Sequence, residues 1–462
     1  MNKYRQLAAA LLAFSTAVSC PFQAAAGTPT AAGMPTAAGT PMAFAEQRSP
    51  AAERLMAAAQ RPSPLSPLPG LQLQAIGPGM DNLSLGDSYA TYQWGLKNDG
   101  ELQLVQMTAS FRSLDSVYGA RKGRSASISL PDLGPGMIEY QSTVIQARSG
   151  IDINILPAWK QYDADTESPR RQVTVAIIDT GIDYSHPELA DAMWTNPGEI
   201  PGDGIDNDGN GYIDDIHGWN FYTGSSTLYS GTEDSHGTHT AGTIAAARGS
   251  GGIAGITDNQ YVKLMSVKAL GGPMGIGSPE SVIQAIHYAE ANGASICNLS
   301  LGTAAYNEEL AAAIRDSNML FVIACGNGDA RGQGYDTDAS PIYPASLPYD
   351  NVISVASLMF DGSLAASSNF GAGSVDIAAP GSYILSTAPG GGYAFMSGTS
   401  MAAPMVTGTA AMLYSYRTDF SLADVKTALL ATARPMESLA GKTVSGGMLD
   451  ACAAMNYQKN AD

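Results

Sequence analysis

Three short stretches carry residue types that could combine into one reaction. In Gly398-Thr-Ser400-Met-Ala-Ala-Pro404 a serine stands between small residues at the head of a long apolar segment, Met401 to Tyr416. That segment is apolar almost all round, as a buried helix is, with Thr399 or Ser400 near its N-cap and the serine at the positive end of the helix dipole. Pro404 falls about one turn in, where it removes little of the hydrogen-bond ladder. By itself, a Gly-Thr-Ser before an apolar helix is more often only a cap. A serine hydroxyl becomes a nucleophile near neutral pH when a base lies within hydrogen-bond reach and a third group holds that base in the useful tautomer. Asp179, closing the apolar run Val175-Ala-Ile-Ile-Asp179 before a Gly turn, and His236, ahead of the small-residue segment Gly-Thr-His239-Thr-Ala-Gly, are residues of those two types.

Taken together, the three motifs resemble the subtilisin (subtilase) family of serine proteases, over roughly Ile151 to Met455. The chain order Asp, His, Ser is that family's order and differs from the orders of chymotrypsin-like proteases and α/β-hydrolases. The resemblance implies an α/β fold, a mostly parallel central sheet flanked by helices with an N-terminal extension, and peptide-bond hydrolysis through an acyl-enzyme. It assigns Ser400 as nucleophile, His236 as base and Asp179 as the group that orients the base. The family motif His-Gly-Thr-His uses its first member, so His239 is expected to pack or hydrogen-bond structurally. A metal site at His236 and His239 lacks the Glu of a His-Glu-x-x-His arrangement and leaves the other two motifs unexplained. His186, His217 and His287 read as ordinary surface or core residues.

Attack on a carbonyl puts charge on its oxygen, and a donor must wait there. Phe321-Val-Ile-Ala-Cys325-Gly326-Asn327-Gly328 resembles the family's oxyanion segment, which implies that Asn327 is this donor, joined by the Ser400 amide; the plain alternative is an Asn in a Gly-rich turn. The family binds substrate by strand addition. By resemblance, Ser300, Leu301 and Gly302 line one edge and Gly271 and Gly272 the other. Ala324, Cys325 and Gly326 would wall the first specificity pocket, with Ile342 near its base favouring medium apolar residues. Asp336 and Asp338 are close enough in sequence to leave a basic preference open.

A second chemistry is written in Asp203-Gly-Ile-Asp206-Asn-Asp208-Gly-Asn210-Gly211-Tyr212-Ile-Asp214-Asp215. Asp206, Asp208 and Asn210 at spacing two, then Gly211, Tyr212 and Asp214, follow the first part of a calcium loop, in which alternate oxygens point inward. His217 stands where an EF-hand has its bidentate acid, so this is not an EF-hand. The stretch resembles an insertion in a subset of bacterial subtilases. Crowded aspartates repel one another without a cation, so structural Ca2+ is expected; the plain alternative is a solvated acidic turn.

These groups need a scaffold. Short apolar runs alternate with helical patterns, the sign of a parallel sheet with crossover helices. Strands are expected at Val173–Ile178, Val262–Val267, Ala294–Leu299, Leu320–Ala324 and Val352–Ala356, and helices at Glu280–Asn292, Asn307–Ser317 and Leu422–Thr432. In such sheets the ligand site lies beyond the carboxyl ends of the strands. Asp179 closes the first run, as that rule requires.

The chain has 462 residues, enough for a large core, with 24 Lys and Arg against 42 acids and a net charge of −18. That balance argues against nucleic acid or anionic lipid as a partner. Protein or peptide substrates, no membrane span and a monomeric state are expected. Residues 1–26, with Lys3, Arg5, an apolar run from Leu7 to Val18 and Ala24-Ala25-Ala26, read as a signal peptide to a secreted, extracellular or cell-envelope bacterial location. Ala17-Val-Ser-Cys20 offers a lipid anchor at Cys20 as a second exit, although the leucine usual three residues earlier is missing. Residues 27–86, Pro-, Ala- and Gly-rich and opening on a six-residue near-repeat, read as a linker or pro-segment. Residues 87–150 read as an extension packed on the catalytic domain, 151–457. Within it Gln93-Trp-Gly-Leu resembles the start of mature bacterial subtilases, and alternation at Leu102 and Leu104 and at Ala126, Ile128 and Leu130 suggests strands. Beyond Cys20, Cys297, Cys325 and Cys452 allow at most one disulfide. Two other readings stand beside the endopeptidase: a catalytically restrained subtilase-like surface or binding protein, and a dedicated maturase of one partner protein.

Overall fold

A computed structural model describes residues 71–75, 87–111 and 138–459; the segment read as a signal peptide, Cys20 and the run Ala126–Leu130 lie outside the described residues. The first strands are β1 (Leu71–Ala75), β2 (Leu102–Phe111) and β3 (Ile138–Gln146), an antiparallel sheet of order β1-β2-β3. β1 falls inside the stretch read as linker, where Leu-Gln-Leu-Gln-Ala has the period of two that suits a strand. The chain continues through α1 (Ile155–Ala164), β4 (Val173–Asp179), α2 (Ser235–Ala245), β5 (Val262–Lys268), α3 (Pro279–Ala291), β6 (Ala294–Leu299), α4 (Glu308–Arg315), β7 (Leu320–Ala324), β8 (Val352–Leu358) and β9 (Ile377–Pro380). A hairpin of β10 (Ile384–Ala388) and β11 (Gly392–Met396) leads into α5 (Thr399–Tyr416), then α6 (Leu422–Ala431), β12 (Arg434–Pro435), β13 (Gly447–Met448) and α7 (Ala451–Met455).

The central sheet runs β12-β13-β9-β8-β7-β6-β4-β5 and is parallel throughout except for the β12–β13 pair. Its strands β4 to β9 are buried on both faces. Val173, Val175 and Ile177 of β4 pack with α2 and α5, while Ala176 and Ile178 face the cluster that holds α3 and α4. Two apolar faces explain why these strands read as continuous apolar runs rather than alternating ones. The expected strands are all present, β4, β5 and β8 running one or two residues longer.

α5 is apolar all round because it lies inside the molecule, with Ala402, Ala403, Val406, Ala410, Ala411 and Leu413 fully buried. Its N-cap is Gly398, whose φ of 150° and missing side chain leave the capping to others. α3 and α6 open on capping boxes made by Ser278 and Ser421. The segment 87–104 packs on the core: the Trp94 indole donates to Ser382 O, and Gln93 exchanges two hydrogen bonds with Ala254. From β4 the chain goes to β5 on one side and returns across to β6 on the other. That reversal opens a crevice at the carboxyl end of β4, next to Asp179.

Candidate active site

Asp179 is 1% exposed and holds its position with the Thr180 amide at 2.6 Å. Both its oxygens face Nδ1 of His236, at 2.8 and 2.9 Å. Such contact needs α2 pressed against the end of β4, and Gly237 permits it: a Cβ there would lie 2.2 Å from Gly181 O. Burial draws the His236 pKa down, but the Asp179 charge and its hydrogen bond outweigh that and leave it raised. Nε2 of His236 is buried and has no partner. His239, fully buried, donates from Nε2 to Ile384 O at 2.9 Å and Ala394 O at 3.1 Å, and burial lowers its pKa to about 4. That is the structural place expected of it.

Ser400 is the second residue of α5 and is 5% exposed; its Oγ donates to Ser300 O at 3.3 Å. Asn327 lies in the turn after β7. Its Oδ1 accepts from the Thr399 amide at 2.8 Å and the Thr399 hydroxyl at 3.1 Å. With the carbonyl end pinned, the Nδ2 end of the amide is turned away from Thr399. Thr399 Oγ1 also accepts from the Gly326 amide at 3.2 Å, so one threonine ties the oxyanion segment to the serine's helix. Sequence reasoning gave Thr399 only a capping role.

Gly302 and Gly326 approach Ile342: a Cβ at Gly302 would sit 3.0 Å from its Cγ2, and one at Gly326 3.7 Å from its Cγ1. Leu301 and Ala324 are buried beside them. Cys325 contributes backbone only, because its thiol turns inward to Asn369 O at 3.2 Å and burial pushes it up to about 12. Thr303 and Tyr343 exchange backbone hydrogen bonds of 2.8 and 2.7 Å, closing the base of the cleft. Across it, Gly271 bridges Ile276 in a tight hairpin. Asp338 is spent on Ser374 and Gly373.

In the acidic loop, oxygens of Asp206 and Asp208 come within 4.8 Å of each other and of Glu199. Glu199, which the spacing pattern did not single out, is buried and accepts from the amides of Asn207, Asp208 and Asp214. Asp214 turns its carboxylate to the amides of Gly202 and Gly204, Asn210 bridges Asp208 and Asp215, and the Tyr212 ring packs on Trp219, Phe221 and Tyr288. Three carboxylates on a turn rich in backbone donors suit a hard cation taking oxygen ligands. Also unforeseen is a buried ion pair beside the site, Lys268 with Asp234, for which a lone lysine ending a strand was the only signal. Cys297, Cys325 and Cys452 are free thiols, and no described helix is long and apolar enough to cross a membrane.

A model of the subtilase family matches residues 170–451. The major intracellular serine protease of Bacillus subtilis is 37% identical over 249 residues, 53% of this chain and 69% of that protein. An alkaline protease of Alkalihalobacillus alcalophilus is 35% identical over 58% of this chain, which spans 60% of that protein. Subtilisin Savinase of Lederbergia lenta is 35% identical over 58% of this chain and 85% of its own. The match contains the end of β4, the whole of α2 and the start of α5, where Asp179, His236 and Ser400 stand, and the chain belongs to the subtilase family of serine proteases.

Proposed function

We propose that the chain is a secreted or cell-envelope endopeptidase that hydrolyses peptide bonds through Asp179, His236 and Ser400. The observation that carries this reading is His236: its Nδ1 is held by both oxygens of a buried carboxylate while its Nε2 is buried and unpaired, on a helix, α2, that packs against the serine's helix α5. No bond joins Ser400 to His236 here, and such bonds often tighten only when substrate binds. Ser400 Oγ attacks the scissile carbonyl and gives its proton to Nε2 of His236, while Asp179 steadies the imidazolium. The oxyanion takes hydrogen bonds from Asn327 Nδ2 and the Ser400 amide. Nε2 then protonates the departing amine as the C–N bond breaks; water next gives a proton to the same nitrogen as its oxygen adds to the acyl carbon, and that proton returns to Ser400 Oγ as the ester bond breaks.

The peptide lies extended between Ser300-Leu301-Gly302 and Gly271-Gly272. A medium apolar residue enters the pocket of Ala324, Cys325 and Gly326, which Ile342 shortens. Glu199, Asp206 and Asp208 hold a structural Ca2+, with Asn210, Tyr212 and Asp214 shaping the loop around it. The secreted or envelope location rests on residues 1–26.

The test is labelling of purified protein by a fluorophosphonate probe, against Ser400→Ala. Labelling lost in the variant supports an activated serine. No labelling would sink the reading and favour the restrained protein; labelling without cleavage of casein would favour the maturase.

A further inference from the structure

The turn that carries Asn327 is fastened from two sides. On the side of α5, Thr399 Oγ1 accepts from the Gly326 amide and donates to Asn327 Oδ1. On the other side stands Asn369, 1% exposed, in the segment between β8 and β9. Its Nδ2 donates to Cys325 O at 3.1 Å, and its Oδ1 accepts from the amides of Gly328 at 3.1 Å and Tyr335 at 3.2 Å. Its own amide donates to Gly326 O at 3.0 Å. One residue thus holds the main chain before Asn327 and after it.

The fit is close. Gly326 has a φ of 99°, and a Cβ there would lie 2.7 Å from Asn369 Nδ2. Asn369 is itself braced on both flanks. The Ser368 hydroxyl accepts from the Ser357 amide of β8 at 2.9 Å and donates to Asn369 O at 2.9 Å. Past Asn369, the Phe370 amide donates to Tyr335 O and the Thr337 amide to Phe370 O. The turn is therefore tied through Asn369 to the central sheet. All four bonds of Asn369 to the turn and to Tyr335 go to main-chain atoms, so they fix the path of the chain from which the Asn327 side chain springs.

We propose that Asn369 is a positioning residue for the reaction, which fixes the turn 325–328 so that Asn327 Nδ2 meets the oxyanion without moving. The inference rests on the proposed function, which gives Asn327 that task. Charge that develops in the transition state is stabilised by donors already in place, about 2.7–3.1 Å from where the oxygen will stand. Thr399 pins the side chain of Asn327, and Asn369 pins its backbone. An interaction used only in the transition state shows in kcat rather than in KM.

The test is a double-mutant cycle on the full-length enzyme, with kcat expressed per serine labelled by the fluorophosphonate so that only folded sites are counted. Asn369→Asp keeps the acceptor for Gly328 and Tyr335 and loses the donor to Cys325 O, whereas Asn369→Ala loses both. Either substitution should lower kcat about tenfold, a part of the roughly 10²–10³ that removing an oxyanion donor outright costs in subtilisin, while KM stays within about twofold. In an Asn327→Ala background the same substitutions should leave kcat within about twofold, because the group they position is gone. An equal fall in both backgrounds overturns the proposal, since a merely structural role acts whether or not Asn327 is present. So does an unmoved kcat in the parent enzyme, or a rise in KM alone, which would assign Asn369 to the specificity pocket. Failure of the proposed function is distinct, because the wild-type enzyme would then not label with the fluorophosphonate at all.

Discussion

Ser300 and Ser400 exchange hydrogen bonds: the Ser300 hydroxyl donates to Ser400 O at 3.1 Å, and the Ser400 hydroxyl to Ser300 O at 3.3 Å. Pro404 is the reason for the first. In an α-helix the carbonyl of residue 400 accepts from the amide of residue 404, and proline has none. The Ser300 hydroxyl fills that place. It accepts in turn from Asn298 Nδ2 at 2.9 Å, and Asn298 Oδ1 accepts from Thr407 Oγ1 at 2.8 Å, all buried. The proline that frees the Ser400 carbonyl thus fastens the serine to the end of β6.

Ser300→Ala leaves Ser400 O and Asn298 Nδ2 buried without partners, and each such group costs about 1–3 kcal/mol. The substitution should therefore lower the melting temperature by several degrees, and kcat should fall as the serine loses its anchor. Melting is best measured in a Ser400→Ala background, where self-cleavage is absent. An unchanged melting temperature there would show that the Ser300 hydroxyl, donating to Ser400 O, does not stabilise the fold.

The pH dependence of activity follows from His236. The base must be neutral, so kcat/KM should rise with pH through its raised pKa. Asp179→Asn removes both influences that raise it, leaving burial, which lowers it. The acid limb should move to lower pH while kcat falls on the order of 10⁴, the scale of losing the triad aspartate in subtilisin. For stability the sign runs the other way: a histidine whose pKa is raised in the folded state stabilises fully below 6.5, its unperturbed value, and that contribution is lost as pH rises through the folded value. A pH–rate profile of Asp179→Asn with an unmoved acid limb would refute the assignment.

His239 has the opposite sign. Its pKa is 6.5 unperturbed and about 4 in the folded chain, mainly through burial. Its neutral Nε2–H tautomer serves two carbonyls, and Nδ1 is buried with no acceptor beside it for the N–H that a second proton would make. Between those pH values the unfolded chain binds the proton that the folded one refuses. Stability is present above 6.5 and lost as pH falls toward about 4, a loss of about 3 kcal/mol in all. Urea unfolding of Ser400→Ala across this range should show that slope, and His239→Gln should flatten it whatever its absolute stability. Equal slopes in the two proteins would exclude His239 as the cause.

The sheet was legible because each strand is buried on both faces, so Val173–Asp179 and Leu320–Ala324 read as apolar runs without any need of register. α2 was not. Ser235-His-Gly-Thr-His-Thr-Ala-Gly has two glycines and poor helix propensity, and it is helical because packing requires it: Gly237 lies against Gly181 O, and a Cβ at Gly242 would meet Thr387 Oγ1 at 2.2 Å. The candidate catalytic residues stand in motifs that a sequence displays, whereas the residues that support them do not. Thr399 acts through Asn327 and Gly326, far along the chain, and Glu199 through three amides of its own loop that the turn folds back onto it, neither of which spacing alone reveals.

Calcium dependence is the last consequence, and it separates two roles within one loop. Glu199 accepts three backbone amides and is buried, so it organises the turn by itself; Asp206 and Asp208 are more open, and their oxygens stand within 4.8 Å of those of Glu199. Three negative charges so close repel unless a cation lies among them. An ion that binds only the folded form stabilises it by about 2.7 kcal/mol at a hundredfold excess over Kd. Calcium should therefore raise the melting temperature of Ser400→Ala by several degrees over chelator, with magnesium less effective because it demands a smaller, stricter octahedral site. Asp208→Asn should abolish that increment and leave the chelated protein nearly unchanged or firmer, since it removes one repelling charge. Glu199→Gln should lower the melting temperature even in chelator, because the amides lose their acceptor's charge. Equal melting of the parent protein in calcium and chelator would mean that the loop folds on its own hydrogen bonds and holds no ion.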